Sequence, residues 1–341
     1  MIGRAGQLSA TIESRPENSW VTATMSAMRR VIVAICGAML ATTVAAPAAA
    51  NAPRPVTYVV SNTPGDQPEG ISVSRDGTMY VTSIGTGAVY RGNVRDPDLH
   101  PFIPAGADGR AQAAGVHVDR WGRILVAGFD TGALYVYDRS GQLLAERATL
   151  PGAALNDFTF SRDAVYVTDS VNQIVWRASL SASGVGPLQA WVTPEHLTPA
   201  PGFLNGIVIT SDHRTLLVAD QAANVTYRVD LATRQGAAIA VHGADGLFSA
   251  DGMLLEGHRL YGVYNFVDPT SPTGADWVTR EVRLNGDYTE ASWVADSDIA
   301  PDTDTPTTLA RDRDRLLWVN SQLAFGSGTP PYTVTQVPGL R

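Results

Sequence analysis

The chain is poor in reactive side chains. Its 341 residues hold one cysteine and no lysine; all 25 basic residues are arginine. Without lysine, Schiff-base chemistry and a lysine general base are excluded. The Arg/Ala bias fits a GC-rich genome and carries no mechanism of its own. The cysteine, Cys36, sits in an N-terminal leader. The remainder of the chain therefore has no disulfide, no thiolate nucleophile and no Cys-ligated metal. Charged residues are 17% of the chain against 44% hydrophobic, and no basic patch stands out. A nucleic-acid partner is not expected. No G-x-S-x-G motif supports Ser-His-Asp catalysis.

Long apolar runs are also missing, with one short exception. Residues 31–44 are apolar, follow Arg29 and Arg30, and lead to Ala48, Ala49 and Ala50, an A-x-A cleavage pattern. The run is too short to cross a bilayer comfortably and has no stop-transfer flank. Residues 1–50 read as a signal-peptide region. Met25 or Met28 offers an alternative start that makes residues 1–24 a start-site artefact. Ile35 before Cys36 does not fit a lipoprotein attachment site. Cleavage after Ala50 removes four arginines and two glutamates, which moves the formal charge from −8 to −10. The reading predicts a secreted, extracellular monomer with no stable membrane insertion after cleavage. Lacking disulfides, it needs a large core.

What the remaining chain does have is a repeat. "EGISVSRDGTMYVTS" begins at Glu69, "AGVHVDRWGRILVAG" at Ala114 and "NDFTFSRDAVYVTD" at Asn156. "NGIVITSDHRTLLVAD" begins at Asn205, "DGMLLEGHRLYGVY" at Asp251 and "TTLARDRDRLLWVN" at Thr307. The steps are 45, 42, 49, 46 and 56 residues. Each unit reads as a strand, a tight Asp/Gly/Arg turn, a second strand, a loop, a third strand and a weaker fourth. No 3.6-residue period competes. This is the pattern of propeller blades. Residues 51–341 are predicted to form one all-β domain, a six-bladed β-propeller with four-stranded blades around a central channel. The strand at residues 56–60 is predicted to join the last blade beside residues 332–338 and so close the circle.

The first residue of each inner strand lies at one rim of such a channel. Across the repeats these residues are Glu69, Ala114, Asn156, Asn205, Asp251 and Thr307. Two carboxylates and two carboxamides converge, with no imidazole or sulfur among them. Two unpaired buried carboxylates repel and are costly, and a divalent cation resolves the conflict. Oxygen donors with two formal charges suit a hard ion: Ca²⁺ first, with Mg²⁺, Mn²⁺ or Zn²⁺ as alternatives. Four protein oxygens leave open positions, as a catalytic metal requires. The bland reading is that Asn-Gly, Asp-Gly and Asn-Asp are turn dipeptides and Glu69 a surface acid.

The repeats and ring residues resemble the SMP-30/gluconolactonase family of six-bladed propellers, over about residues 56–338. "PEGISV" resembles its glutamate motif, "LNDFTF" and "LNGIVIT" its two asparagine motifs, and "DGMLLEGHRLYGVYN" its aspartate motif. The resemblance implies that Glu69, Asn156, Asn205 and Asp251 hold one divalent metal, with Asp245 of "GADG" a rival to Asp251. It implies a hydrolase opening a lactone or related ester, the metal polarising the carbonyl. It makes Asp251 the candidate general base, with a hydroxide on the metal as the alternative, and Asn156 a residue that both ligates and touches substrate. The sugar lactonases of the family carry an arginine near the first asparagine. "TLPGAALND" has none, which disfavours sugar lactones.

A non-catalytic propeller that binds a small molecule or protein, with a structural metal, is the second reading. Asp169 and Asp220 end second strands and read as turn-closing residues or as partners of the ring. His117 reads as a core histidine, and the paired histidines of paraoxonase-like propellers are not evident. Three long loops, residues 193–203, 265–277 and 321–331, bring Phe203, Phe266, Trp277 and Phe325 toward the rim.

Overall fold

Each repeat folds as an antiparallel sheet because its second strand is apolar on both faces. In Thr215–Asp220, Leu216 and Val218 enter one hydrophobic cluster while Leu217 and Ala219 enter the next. A sheet sandwiched between two neighbours needs this continuous apolar run. The computed structural model describes residues 57–265, 277–300, 302–324 and 328–340. Among them six such sheets follow one another, and six hydrophobic clusters fill the wedges between successive blades. The architecture is the six-bladed β-propeller. Residues 1–50, predicted as a signal-peptide region, lie outside the described residues.

The inner strands are Pro68–Val73, Val116–Val118, Leu155–Phe160, Leu204–Ile209, Met253–Glu256 and Pro306–Asp312. In blade 1 the order continues through Thr78–Ser83, Val89–Asn93 and His100–Ile103. Blade 6 is closed by the start of the chain: Thr57–Ser61 pairs antiparallel with Tyr332–Gln336. Asp66 ties this first strand to blade 1 by accepting from the Ser61 and Tyr90 hydroxyls and from Thr86 Oγ1. Blades 4 and 5 each gain a short parallel outer strand, Leu197–Thr198 and Ala240–His242. Both come from the segments entering those blades. They cover backbone edges that otherwise stand open.

The circle is locked at the channel by six hydrogen bonds, one across each blade boundary. Thr307 Oγ1 donates to Glu69 O at 2.7 Å, Thr82 Oγ1 to Ala114 O, and Thr168 Oγ1 to Asn205 O at 2.7 Å. The Gly115, Gly206 and Gly252 N–H groups donate to Asn156, Asp251 and Thr307 carbonyls, each at 2.8 Å. The contacts are too close for a side chain. A Cβ on Gly206 would lie 2.2 Å from Asp251 O, and one on Gly115 2.8 Å from Asn156 O. Thus the glycine after the ring position serves backbone approach rather than turn formation.

Candidate functional site

Four inner strands carry a register shift at their start: between Pro68 and Ile71, Leu155 and Phe158, Leu204 and Ile207, and Pro306 and Leu309. Each irregularity straddles a ring residue: Glu69, Asn156, Asn205 or Thr307. A bulge breaks the alternation of faces and re-aims the side chain. That is why a polar residue stands inside an apolar strand without entering the wedge core. Ala114 and Asp251 lie just ahead of their strands, their N–H groups bonded at 2.9 Å to Ala127 O and Val263 O of their own blades.

The four predicted ligands are buried: Glu69 7% exposed, Asn156 5%, Asn205 4% and Asp251 8%. Burial, then repulsion from Asp251 and Asp157, raises the Glu69 carboxyl well above the ordinary glutamate range. Burial pushes Asp251 up to about 7. Asp157 adds to that, while hydrogen bonds from Asn265 and Asn205 pull the other way. Glu69 Oε2 and Asn156 Oδ1 are buried without a hydrogen-bond partner. Orphaned buried oxygens are rare and call for an explanation. Two such oxygens beside mutually repelling acids fit a hard cation.

The carboxamides are held from behind. Asn156 Nδ2 donates to Ser170 Oγ at 3.1 Å, and Asn205 Nδ2 to Gln221 Oε1 at 2.7 Å. Their nitrogens are engaged, which leaves the carbonyl ends for a cation. Among the described residues no group of three or more His, Cys, Asp or Glu side chains is arranged to hold a metal. A cation at the ring therefore has to draw on carboxamide oxygen.

Asp245, the rival to Asp251, is half exposed and paired with Arg280 Nη1 at 2.6 Å. Asp169 and Asp220 close turns. Asp169 accepts from the Ala154, Val171 and Asn172 backbone N–H groups and from Trp176 Nε1, and Asp220 from the Gly202, Phe203 and Ala223 backbone. His117 is not a core residue. Its side chain is 32% exposed, and Nε2 meets Asp157 Oδ1 at 3.0 Å across blades 2 and 3. Trp277 is buried and Phe203 half-buried; Phe266 and Phe325 lie outside the described residues.

Asp157 is the acid that sequence reasoning passed over. The signal was available: blades 1, 2, 4 and 5 have glycine after the ring residue, and blade 3 has aspartate. Gln221 and Asn265 were also missed. Gln221 Nε2 donates to Asn265 Oδ1 at 3.1 Å, and Asn265 Nδ2 donates to Asp251 Oδ2. A wide cleft of about 1340 Å³ opens at the opposite rim between blades 1 and 2, lined among others by Arg75, Asp76, Arg120 and Arg139. It contains no ring residue, and its charges are mixed.

The sequence matches no family model and no curated protein. Solved structures do match. Regucalcin from Agrobacterium tumefaciens, a calcium-binding protein, aligns over 83% of this chain and 92% of its own, with 15% identity and a TM-score of 0.58. A gluconolactonase from Xanthomonas campestris aligns over 80% and 86%, with 15% identity and a TM-score of 0.56. The allergen Mala s 1 from Malassezia sympodialis aligns over 84% and 96%, with 13% identity and a TM-score of 0.57. At such identities the likeness is one of fold, and propellers of this shape serve more than one purpose.

Proposed function

We propose that the protein is an exported, metal-dependent hydrolase of the SMP-30/gluconolactonase type that opens a lactone or related ester. The observation that carries this reading is the pair of orphaned buried oxygens, Glu69 Oε2 and Asn156 Oδ1, beside acids raised by burial. The gluconolactonase and regucalcin folds support it.

Glu69, Asn156, Asn205 and Asp251 would hold a divalent cation, Ca²⁺ first. When bound, it supplies Lewis acidity to the ester carbonyl. The chain's own contribution is placement. The locked circle fixes the four donors, and the surrounding blades keep bulk water from the ring. Asp251 is the proposed acceptor of the proton released by attacking water. Two of the buried arginines are committed to partners of their own: Arg110 to Gly87 O and Tyr137, Arg280 to Asp245 and Asp296. Neither is free to grip a polyol or a carboxylate. The proposed substrate is a neutral lactone less polar than a sugar acid lactone, in keeping with the absence of arginine from residues 149–157 leading to Asn156.

The test is direct. Residues 51–341 are stripped with EDTA and screened on γ-lactones, δ-lactones and aryl esters, with Ca²⁺, Mg²⁺, Mn²⁺ or Zn²⁺ added back. Turnover restored by metal and lost in Asp251→Ala is the expected result. Cation binding and a cation-dependent melting point with no turnover on any ester would instead establish a binding propeller. N-terminal sequencing of the protein from culture medium checks export, with Asn51 expected first.

A further inference from the structure

We infer that Gln221 and Asn265 are positioning residues: they fix which way Asn205 and Asp251 present their oxygens to a cation at the ring. The inference rests on the cation reading above and adds what sets the orientation of its donors.

The observation is a run of hydrogen bonds through four side chains. Asn265 Nδ2 donates to Asp251 Oδ2, Gln221 Nε2 donates to Asn265 Oδ1 at 3.1 Å, and Asn205 Nδ2 donates to Gln221 Oε1 at 2.7 Å. An amide has one donating and one accepting end, whereas an ionised carboxylate only accepts. Asp251 is ionised when it holds a cation, and the direction of the whole run then follows from it. Asn265 must turn its nitrogen to the carboxylate, so its oxygen faces Gln221. Gln221 must then turn its oxygen to Asn205, so the Asn205 nitrogen faces Gln221 and Oδ1 is the end turned away from it. Reversing any amide sets oxygen against oxygen.

The repeat register shows that the run is a built feature. Gln221 and Asn265 hold the same position in their blades, the first residue after the second strands Thr215–Asp220 and Arg259–Tyr264. The blade 3 equivalent is Ser170, which accepts from Asn156 Nδ2 and donates to Leu204 O at 2.7 Å. In blades 1 and 2 the position is Ile84 and Phe129. Polar side chains thus back Asn156, Asn205 and Asp251, while the position is apolar in the blades of Glu69 and Ala114 and is Ser321 in the blade of Thr307. Gln221 is further anchored by its own N–H, which donates to Phe203 O at 3.0 Å.

Partners of this kind commonly shift metal affinity by about 10–100-fold. The experiment is calorimetric titration of the full, EDTA-treated chain with Ca²⁺ alone, with no substrate present. Gln221→Leu and Asn265→Leu replace the polar ends with apolar groups. Each is expected to weaken Ca²⁺ by about 10-fold or more. Because both cut one run, the double variant is expected to fall little below either single one. Ile84→Val, at the same repeat position on the other side, is expected to titrate as wild type. Melting of the cation-free variants checks that they fold, and either single variant suffices if the other does not. Wild-type Ca²⁺ binding that persists unchanged in the folded Leu variants overturns the positioning role and leaves the cation site standing. A wild-type chain that takes up no Ca²⁺ overturns the site itself.

Discussion

The two rims of the channel use the same residue type for opposite ends. At the rim of tight turns, aspartates are exposed or half-buried and hydrogen-bonded to nearby backbone. Asp76 accepts from the Thr78 N–H, Asp138 from Ser140 and Gln142, Asp212 from Arg214, and Asp230 from Ala232 and Thr233. Bonds of this kind hold all four carboxyls below the ordinary aspartate range; the Thr78 and Thr233 N–H groups and the Ser140 and Thr210 hydroxyls contribute most. At the other rim Glu69 and Asp251 are buried beside Asp157, and their carboxyls are raised. Chain position explains the contrast. A turn residue meets free N–H groups and water; a residue in a bulge at the channel meets other acids. The first kind stabilises its own loop. The second is a local liability that the proposed cation would relieve.

The sharpest way to break this comparison is to remove the acid nearest neutral titration. Asp251→Ala is expected to abolish cation uptake and to lower metal-restored ester turnover by at least about 100-fold. Calorimetry and a lactone assay read the two losses separately. Cation affinity unchanged in this variant would show that the ring-bearing rim is no more functional than the turn rim.

Glu69→Gln tests the liability itself. An orphaned buried carboxylate is replaced by a neutral group of the same size. Repulsion with Asp251 and Asp157 disappears, so the cation-free protein is expected to melt roughly 2–6 °C higher. Cation affinity is expected to fall about 10-fold or more. A gain in stability paired with a loss of binding is the signature. A variant that loses both would mean that Glu69 carries structure through a bond.

The pH dependence separates the rims by sign. A carboxyl raised in the folded state stabilises below its unfolded pKa, and that contribution is lost as pH rises through the folded value. For Asp251 the window runs from about 4 to about 7. A carboxyl lowered in the folded state does the reverse, and its contribution is lost only as pH falls below about 4. The cation-free protein is therefore expected to melt highest near pH 4–5 and to decline toward pH 8. Added Ca²⁺ is expected to raise the melting point most at and above pH 7, where the ligands are ionised without it. A flat profile between pH 4 and 8 in the cation-free protein would remove the electrostatic basis of the site.

The blades were legible because each turn, strand and apolar run recurs in register, and a recurring pattern averages out local ambiguity. Closure by the first strand followed from one unpaired run at each end of the chain. The same register put Glu69, Asn156, Asn205 and Asp251 at one rim, and the structure brings them to the start of their inner strands. Asp157 was not, because it occupies a position where glycine is the rule and turn propensity explains it equally well. Gln221 and Asn265 were hidden for another reason: their partners are each other and the ring, and those pairings exist only once blades 4 and 5 are side by side. His117 misled because one-residue phase says where a strand points, not that the neighbouring blade offers Asp157.

The smallest expected effect falls on the turn rim, and it controls for all the others. Asp230→Ala removes the carboxylate that accepts from Ala232 and Thr233 at 2.9 Å each. The turn is exposed and water replaces the lost acceptor, so the melting point is expected to fall only slightly. Ca²⁺ titration and ester turnover are expected to match wild type, because the turn rim lies at the far end of the inner strands from the ring. The distinction is one of coupling. An acid that serves only its own loop cannot transmit its loss through a blade whose strands remain paired. A drop in cation affinity here would mean that the blades relay strain from rim to rim, and the six bonds that lock the circle at Glu69, Ala114, Asn156, Asn205, Asp251 and Thr307 would be its route.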